Sequence, residues 1–112
     1  MDKLYSLNIL KEIAGGDDAF VKDMVVTFID SVSAETENMQ RLMEIGEWKA
    51  IGAIAHKLAP NYAYMDSQAL FELAASVEKE IKAGGNLNEI AAMTNRMCAG
   101  SLVLIDELRK IL

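Results

Sequence analysis

The sequence predicts an all-α protein, an antiparallel up-down four-helix bundle with a short N-terminal capping helix. Three observations predict it. Apolar residues recur at three- and four-residue spacing along four long segments, the period of a helix with one buried face. Turn chemistry divides those segments at Gly15-Gly16, Gly46, Asp66-Ser67 and Ala83-Gly84-Gly85-Asn86, leaving connections too short for anything but antiparallel neighbours. The composition, rich in Met, Ala, Leu, Ile, Glu and Lys with one proline, favours helix over sheet.

The elements follow in order. Ser6 is placed to cap a short helix through Leu7, Leu10 and Ile13, which Gly15-Gly16 ends. Asp17 or Asp18 caps the next, where an acid also suits the positive end of the helix dipole. That helix carries Val21, Met24, Val25, Phe28, Val32, Met39, Leu42 and Met43, and Gly46 closes it. Its stripe weakens from Ser33 to Asn38, which predicts either a bend or a stretch projecting beyond the core.

The third long-range feature is the helix from about Glu47, which holds the single histidine and the single proline. Trp48, Ile51, Ala55, Leu58, Tyr62 and Met65 form its apolar stripe. At about 100° per residue, His56 lies roughly 140° around the helix from Ile51. Its neighbours on that side include Gly52, Ala59 and Ala63, so the imidazole stands on a face stripped of bulk. Pro60 cannot donate to the His56 carbonyl. It either kinks the helix or starts a new one, and the unbroken stripe favours one kinked helix. Asp66-Ser67 forms the turn and supplies the following cap. The next helix buries Leu70, Leu73, Ala74, Val77 and Ile81, with Phe71, Ala75, Glu78 and Lys82 down one side. The last is the most regular: Leu87, Ile90, Thr94, Met97, Ser101, Leu104, Leu108 and Ile111 form its seam, flanked by Ala91, Cys98, Ile105 and Leu112. Gly100 there is consistent with close packing against a neighbour.

Composition bounds the function. The 112 residues suit one domain, 1–112, able to bury a core without metal or disulfide. The net charge of −6 argues against nucleic acid as a partner. No apolar run approaches membrane-spanning length, and the N-terminus lacks a leader's apolar core. Cys98 stands alone, so a reducing, cytoplasmic setting is expected. No metal site is expected from one histidine and one distant cysteine, and the glycine pairs lack the rest of a phosphate-binding motif. What remains is the histidine. In an antiparallel pair, Glu78 comes level with His56 and Lys82 one turn beyond, so His56, Lys57 and Lys82 are expected to make a small electropositive spot. The simpler alternative is that both lysines are solvated surface residues.

The stretch Ala55-His56-Lys57-Leu58-Ala59-Pro60-Asn61-Tyr62-Ala63 resembles the phosphoacceptor signature of histidine-containing phosphotransfer (HPt) domains. Leu10 to Phe28 is similar to that family's opening, and Leu70 to Glu80 to the helix after its histidine. The resemblance implies a phosphorelay. His56 takes a phosphoryl group through Nε2 from a receiver aspartate and passes it to a second receiver, with Lys57 and Lys82 supplying charge. It implies a phosphoryl carrier rather than a stand-alone enzyme, monomeric, with response-regulator receiver domains as partners and a hybrid sensor histidine kinase as a further candidate. It implies no bound cofactor, magnesium belonging to the receiver. Gly52, Ala59, Pro60, Ala63, Phe71 and Glu78 are the expected receiver-docking residues. The chain departs from the pattern at Ala59, where the family usually has lysine, and at Pro60, where it has glycine. Those departures bear on transfer rate and phosphohistidine lifetime. Two other readings stand beside this one. One is an HPt-like module that docks a partner without accepting phosphate. The other is an acyl-carrier-like protein modified at Ser67, since Asp66-Ser67-Gln68-Ala69-Leu70 is faintly similar to that carrier motif.

Overall fold

The computed structural model describes residues 4–112; residues 1–3, part of the N-terminus read for a leader, lie outside the described residues. Five helices follow in order: α1 (Asn8–Ala14), α2 (Asp18–Glu44), α3 (Trp48–Tyr64), α4 (Gln68–Lys82) and α5 (Leu87–Arg109). The four long helices close a ring, α2 against α3, α3 against α4, α4 against α5 and α5 back against α2, while α1 lies on α2. This is the expected bundle with its capping helix. The 27 residues of α2 reach about 40 Å at 1.5 Å each, which sets the 44 Å long axis.

Local chemistry explains where each helix begins. The Asp17 side chain accepts the Phe20 N–H at 3.1 Å, so Asp17 rather than Asp18 caps α2. Asn86 does the same for α5 through the Glu89 N–H. Two expected caps differ. Leu7, not Ser6, occupies the cap position of α1; the Ser6 hydroxyl accepts the Asn8 N–H, and its own N–H is held by the Met65 carbonyl at 2.9 Å. Ser67 sits at the cap position of α4, yet its side chain makes no capping bond.

The reason for the second difference lies in how α3 ends. Three helices finish alike, with a residue in the left-handed region and a following N–H bonded back five residues. Glu47 bonds to the Leu42 carbonyl across Gly46, Ser67 to Tyr62 across Asp66, and Gly85 to Glu80 across Gly84, each at 2.9 Å. Ser67 therefore closes α3 while it opens α4. Asp66, at φ 52°, is the only non-glycine with positive φ among the described residues. Helix α3 runs through Pro60 without a restart, leaving the His56 carbonyl without an N–H partner from residue 60.

The core follows the apolar stripes in the middle of the bundle and departs from them at its ends. Val25, Val32, Met39, Ile51, Leu58, Tyr62, Met97, Leu104 and Leu108 are buried as the spacing predicts. In α2 the stripe does not break: Ile29 and Thr36 continue it between Val25 and Met39, and Thr36 is 1% exposed with its hydroxyl unpaired. The threonine methyl fills an apolar slot, which a reading by polarity hides. Ile13, Leu87 and Ile111 were expected inside and are exposed. Each lies within two residues of a helix end.

Polar seam residues of α5 are satisfied. Thr94 donates to the Ile90 carbonyl, and the Ser101 hydroxyl meets the Tyr62 hydroxyl of α3 at 2.7 Å, both side chains fully buried. Burial pushes the Tyr62 phenol up to about 12, against a smaller opposing effect of the Ser101 hydrogen bond. A Cβ on Gly100 would come within 2.8 Å of Leu70 Cδ2, so the close α4–α5 approach expected there is present.

Candidate functional site

His56 projects from α3 with its side chain 77% exposed. One ring nitrogen is taken: Nδ1 lies 2.8 Å from Glu78 Oε2 and 3.1 Å from Oε1. Glu78 comes from α4, and Lys82, one turn on, donates from Nζ to Glu78 Oε1 at 2.9 Å. The Lys82 hydrogen bond first, and the His56 contact after it, hold the Glu78 carboxyl below the usual carboxylate range. An ionised carboxylate only accepts, so Nδ1 bears the proton of this contact. In the neutral ring the lone pair then lies on Nε2, the nitrogen that Glu78 does not hold.

The register that brings these groups together is set by packing. Gly52, one turn before His56, is buried, and a Cβ there would lie 3.3 Å from Ile81 Cγ2. The bare backbone lets α4 lie close to α3, which places Glu78 at the histidine's level. Gly52 is packed against Ile81 and lines a groove beside His56.

The lysines differ from the expected electropositive spot. Lys57 leans to the other side, its Nζ 3.5 Å from Glu35 Oε2 of α2. Glu35 also accepts from the Asn38 amide, whose oxygen accepts from the Arg41 guanidinium. Lys82 reaches the ring only through Glu78. The ring is therefore flanked by a carboxylate with a cation behind it, because each ammonium pairs with a carboxylate. Of the remaining residues, Pro60 and Ala63 are exposed and Ala59 is half-buried against the core. Phe71 is half-buried on α4, seven residues and about 10 Å of helix from Glu78.

Beside His56, on the α3–α4 side, runs a groove of about 640 Å³. Trp48, Ala53 and Ile81 give it an apolar lining, and Lys49, Lys82 and the His56–Glu78 pair edge it. Sequence reasoning missed Trp48, Lys49, Ala53 and Ile81. Trp48 and Ile81 obey the core spacing but are only half-buried, and the 3.6-residue period does not separate a core side chain from a groove wall. The signal that was available is the spacing of Trp48, Gly52 and His56, four residues apart on one edge of α3.

Other candidates lie elsewhere. Cys98 is buried in α5, and burial pushes its thiol up to about 11. Ser67 is 4% exposed in the α3–α4 turn, a poor position for attaching a bulky group. Among the described residues no cluster of three or more His, Cys, Asp or Glu side chains could hold a metal ion. Among the described residues no helix is long and apolar enough to cross a membrane.

Residues 23–111 match the Hpt domain family. The chain is 24% identical over 106 residues to the virulence sensor protein BvgS of Bordetella bronchiseptica, and 24% identical to that of Bordetella parapertussis. The protein of the same name from Bordetella pertussis is 23% identical. Each alignment covers 94% of this chain and 9% of the relative, so the chain spans about a tenth of their length. No solved structure matches.

Proposed function

The chain belongs to the Hpt domain family, so histidine phosphotransfer in a phosphorelay is its general function, and we propose that His56 receives a phosphoryl group from one receiver domain and delivers it to another. The observation that carries this reading is the contact between Nδ1 and Glu78, which leaves Nε2 as the nucleophilic nitrogen. The Nε2 lone pair attacks the phosphorus of the receiver's aspartyl phosphate in line. The N–P bond forms as the acyl oxygen–phosphorus bond breaks, and the aspartate leaves as carboxylate. The ring then carries the phosphoryl group on Nε2 and a proton on Nδ1, so positive charge develops on the imidazole as it reacts. Glu78 faces that charge, and its position is fixed before reaction by Lys82. Delivery is the reverse at a second receiver: its aspartate oxygen attacks phosphorus and the N–P bond breaks. Exposure of the ring suits both steps, because two proteins must close on Nε2.

In this reading Glu78 positions the ring rather than docking the receiver. Lys82 acts through Glu78, and Lys57 lies outside the immediate site. Magnesium is supplied with the receiver, and the domain works as a monomeric carrier in the cytoplasm. Incubation with a phosphorylated receiver labels the parent protein with an acid-labile, base-stable phosphate, and His56→Gln removes it. Ala59 favours one other reading, a docking module without transfer, because it stands where the family usually has a lysine three residues after the histidine. A parent that binds a phosphorylated receiver and never takes label would establish that reading instead.

A further inference from the structure

The first N–H groups of a helix find no partner within it and must be met from outside. Helices α2 and α5 meet one each with the Asp17 and Asn86 side chains, but Ser67, at the cap position of α4, makes no such bond. The N–H groups of Gln68, Ala69 and Leu70 therefore bond to no backbone carbonyl or capping side chain among the described residues. Ser67 itself is 4% exposed, and its hydroxyl has no hydrogen-bond partner among the described residues. A hydroxyl buried in that way calls for a partner that the chain does not supply. Ser67 and the first turn of α4 line a groove of about 440 Å³, at the opposite end of α4 from Glu78 and Lys82.

Charge selects the head of a ligand for this groove. The uncapped N–H groups put the positive end of the α4 dipole on it, and Arg96 of α5 lines it with a guanidinium that has no ion pair among the described residues. Glu80 and Glu89 border a neighbouring groove that Arg96 also lines, and neither pairs with it. Asp66 lines the first groove as well, so the site holds one acidic group of its own, while the Gln68 side-chain amide is turned to Glu72. A guanidinium and a helix terminus set against one carboxylate suit a singly charged anion better than a doubly charged phosphate. The walls select the body. Leu4, Leu70 and Leu73 supply alkyl surface, and Gly100 adds no side chain to fill the space.

We propose that this groove binds a monocarboxylate with an aliphatic body. Its carboxylate accepts from the first-turn N–H groups of α4, the Ser67 hydroxyl and the Arg96 guanidinium, and its alkyl chain lies against Leu4 and Leu73. The site is about 15 Å of helix away from His56, at 1.5 Å per residue, and it stands whether or not His56 accepts phosphate.

The test titrates the full chain with three probes. Octanoate carries both the charge and the alkyl body, octanol the body without the charge, and inorganic phosphate the charge without the body. ¹H–¹⁵N NMR spectra follow the backbone amides of Gln68, Ala69 and Leu70 and the Arg96 Nε–H. Octanoate is expected to shift these signals saturably, and to bind at least about fivefold more tightly than either octanol or phosphate. Arg96 is exposed, so Arg96→Gln removes the guanidinium while leaving the core intact; Ser67→Ala removes the buried hydroxyl, and circular dichroism checks both folds. Each variant is expected to weaken octanoate binding at least about fivefold. Octanoate shifts at these amides that do not saturate, octanol or phosphate binding there as tightly as octanoate, or an affinity unchanged in either folded variant overturns the proposal.

Discussion

Replacing Tyr62 by Phe removes one oxygen from the middle of the bundle and leaves the Ser101 hydroxyl, fully buried on α5, without its partner at 2.7 Å. An orphaned buried hydroxyl costs about 1–3 kcal/mol, whereas replacing both partners by apolar groups is close to neutral. Tyr62→Phe and Ser101→Ala are therefore each expected to lose about 2 kcal/mol, and the double variant clearly less than their sum. For a domain of this size each kcal/mol lowers Tm by roughly 4 °C. Urea and thermal unfolding of the four proteins give the coupling directly. The same phenol sets an alkaline limit. Its pKa is about 12 folded against 10.0 in an ordinary tyrosine, so folding favours the neutral form. That stability is fully present below pH 10 and is lost as pH rises toward 12. The loss is about 3 kcal/mol from two pH units. Cys98, raised from 9.0 to about 11, acts in the same sense slightly earlier. Tyr62→Phe keeps the cysteine part of the alkaline loss and abolishes the tyrosine part. Additive single-variant effects would refute the view that this hydrogen bond ties α3 to α5, and an alkaline limb unchanged by Tyr62→Phe would refute burial of the phenol as its source.

Two further predictions follow from named contacts. Asp66→Gly relieves a left-handed residue where Gly46 and Gly84 serve the other two helix ends; a gain of about 0.5–1 kcal/mol in chemical unfolding is expected, and a loss contradicts it. Glu78→Gln keeps an acceptor for Nδ1–H without the charge, and Glu78→Ala removes both. Transfer from a phosphorylated receiver is expected to slow roughly threefold in the first and about tenfold in the second, and equal rates in all three proteins argue against a positioning role. Because the Glu78 carboxyl is held below the usual range, its contribution persists at high pH and is lost only as pH falls through that lowered value.

Most of the fold was legible because four helices bury one stripe each, and a stripe is a one-dimensional pattern. Thr36 and Ile111 show its limits in opposite directions. A polar residue filled an apolar slot, and an apolar residue lay beyond the end of its own helix. Turn residues marked every helix boundary, yet Ser67, at the cap position of α4, makes no capping side-chain bond and also closes the helix before it. At the site, the antiparallel register alone brought Glu78 and Lys82 to His56. Their pairing order was not legible, because it depends on where side chains of similar reach settle: Lys57 on Glu35, and Lys82 on Glu78. The groove was hidden for a related reason, since half-buried Trp48 and Ile81 carry the same periodic signal as the core.

The most direct test concerns which nitrogen carries the phosphate. The chain has one histidine, so ¹⁵N labelling of histidine followed by phosphorylation from a receiver gives an unambiguous NMR assignment. With Nδ1–H held by Glu78, phosphorus coupling is expected at Nε2, with the proton retained on Nδ1. Phosphate on Nδ1, or a receiver that discharges without labelling His56, contradicts the account.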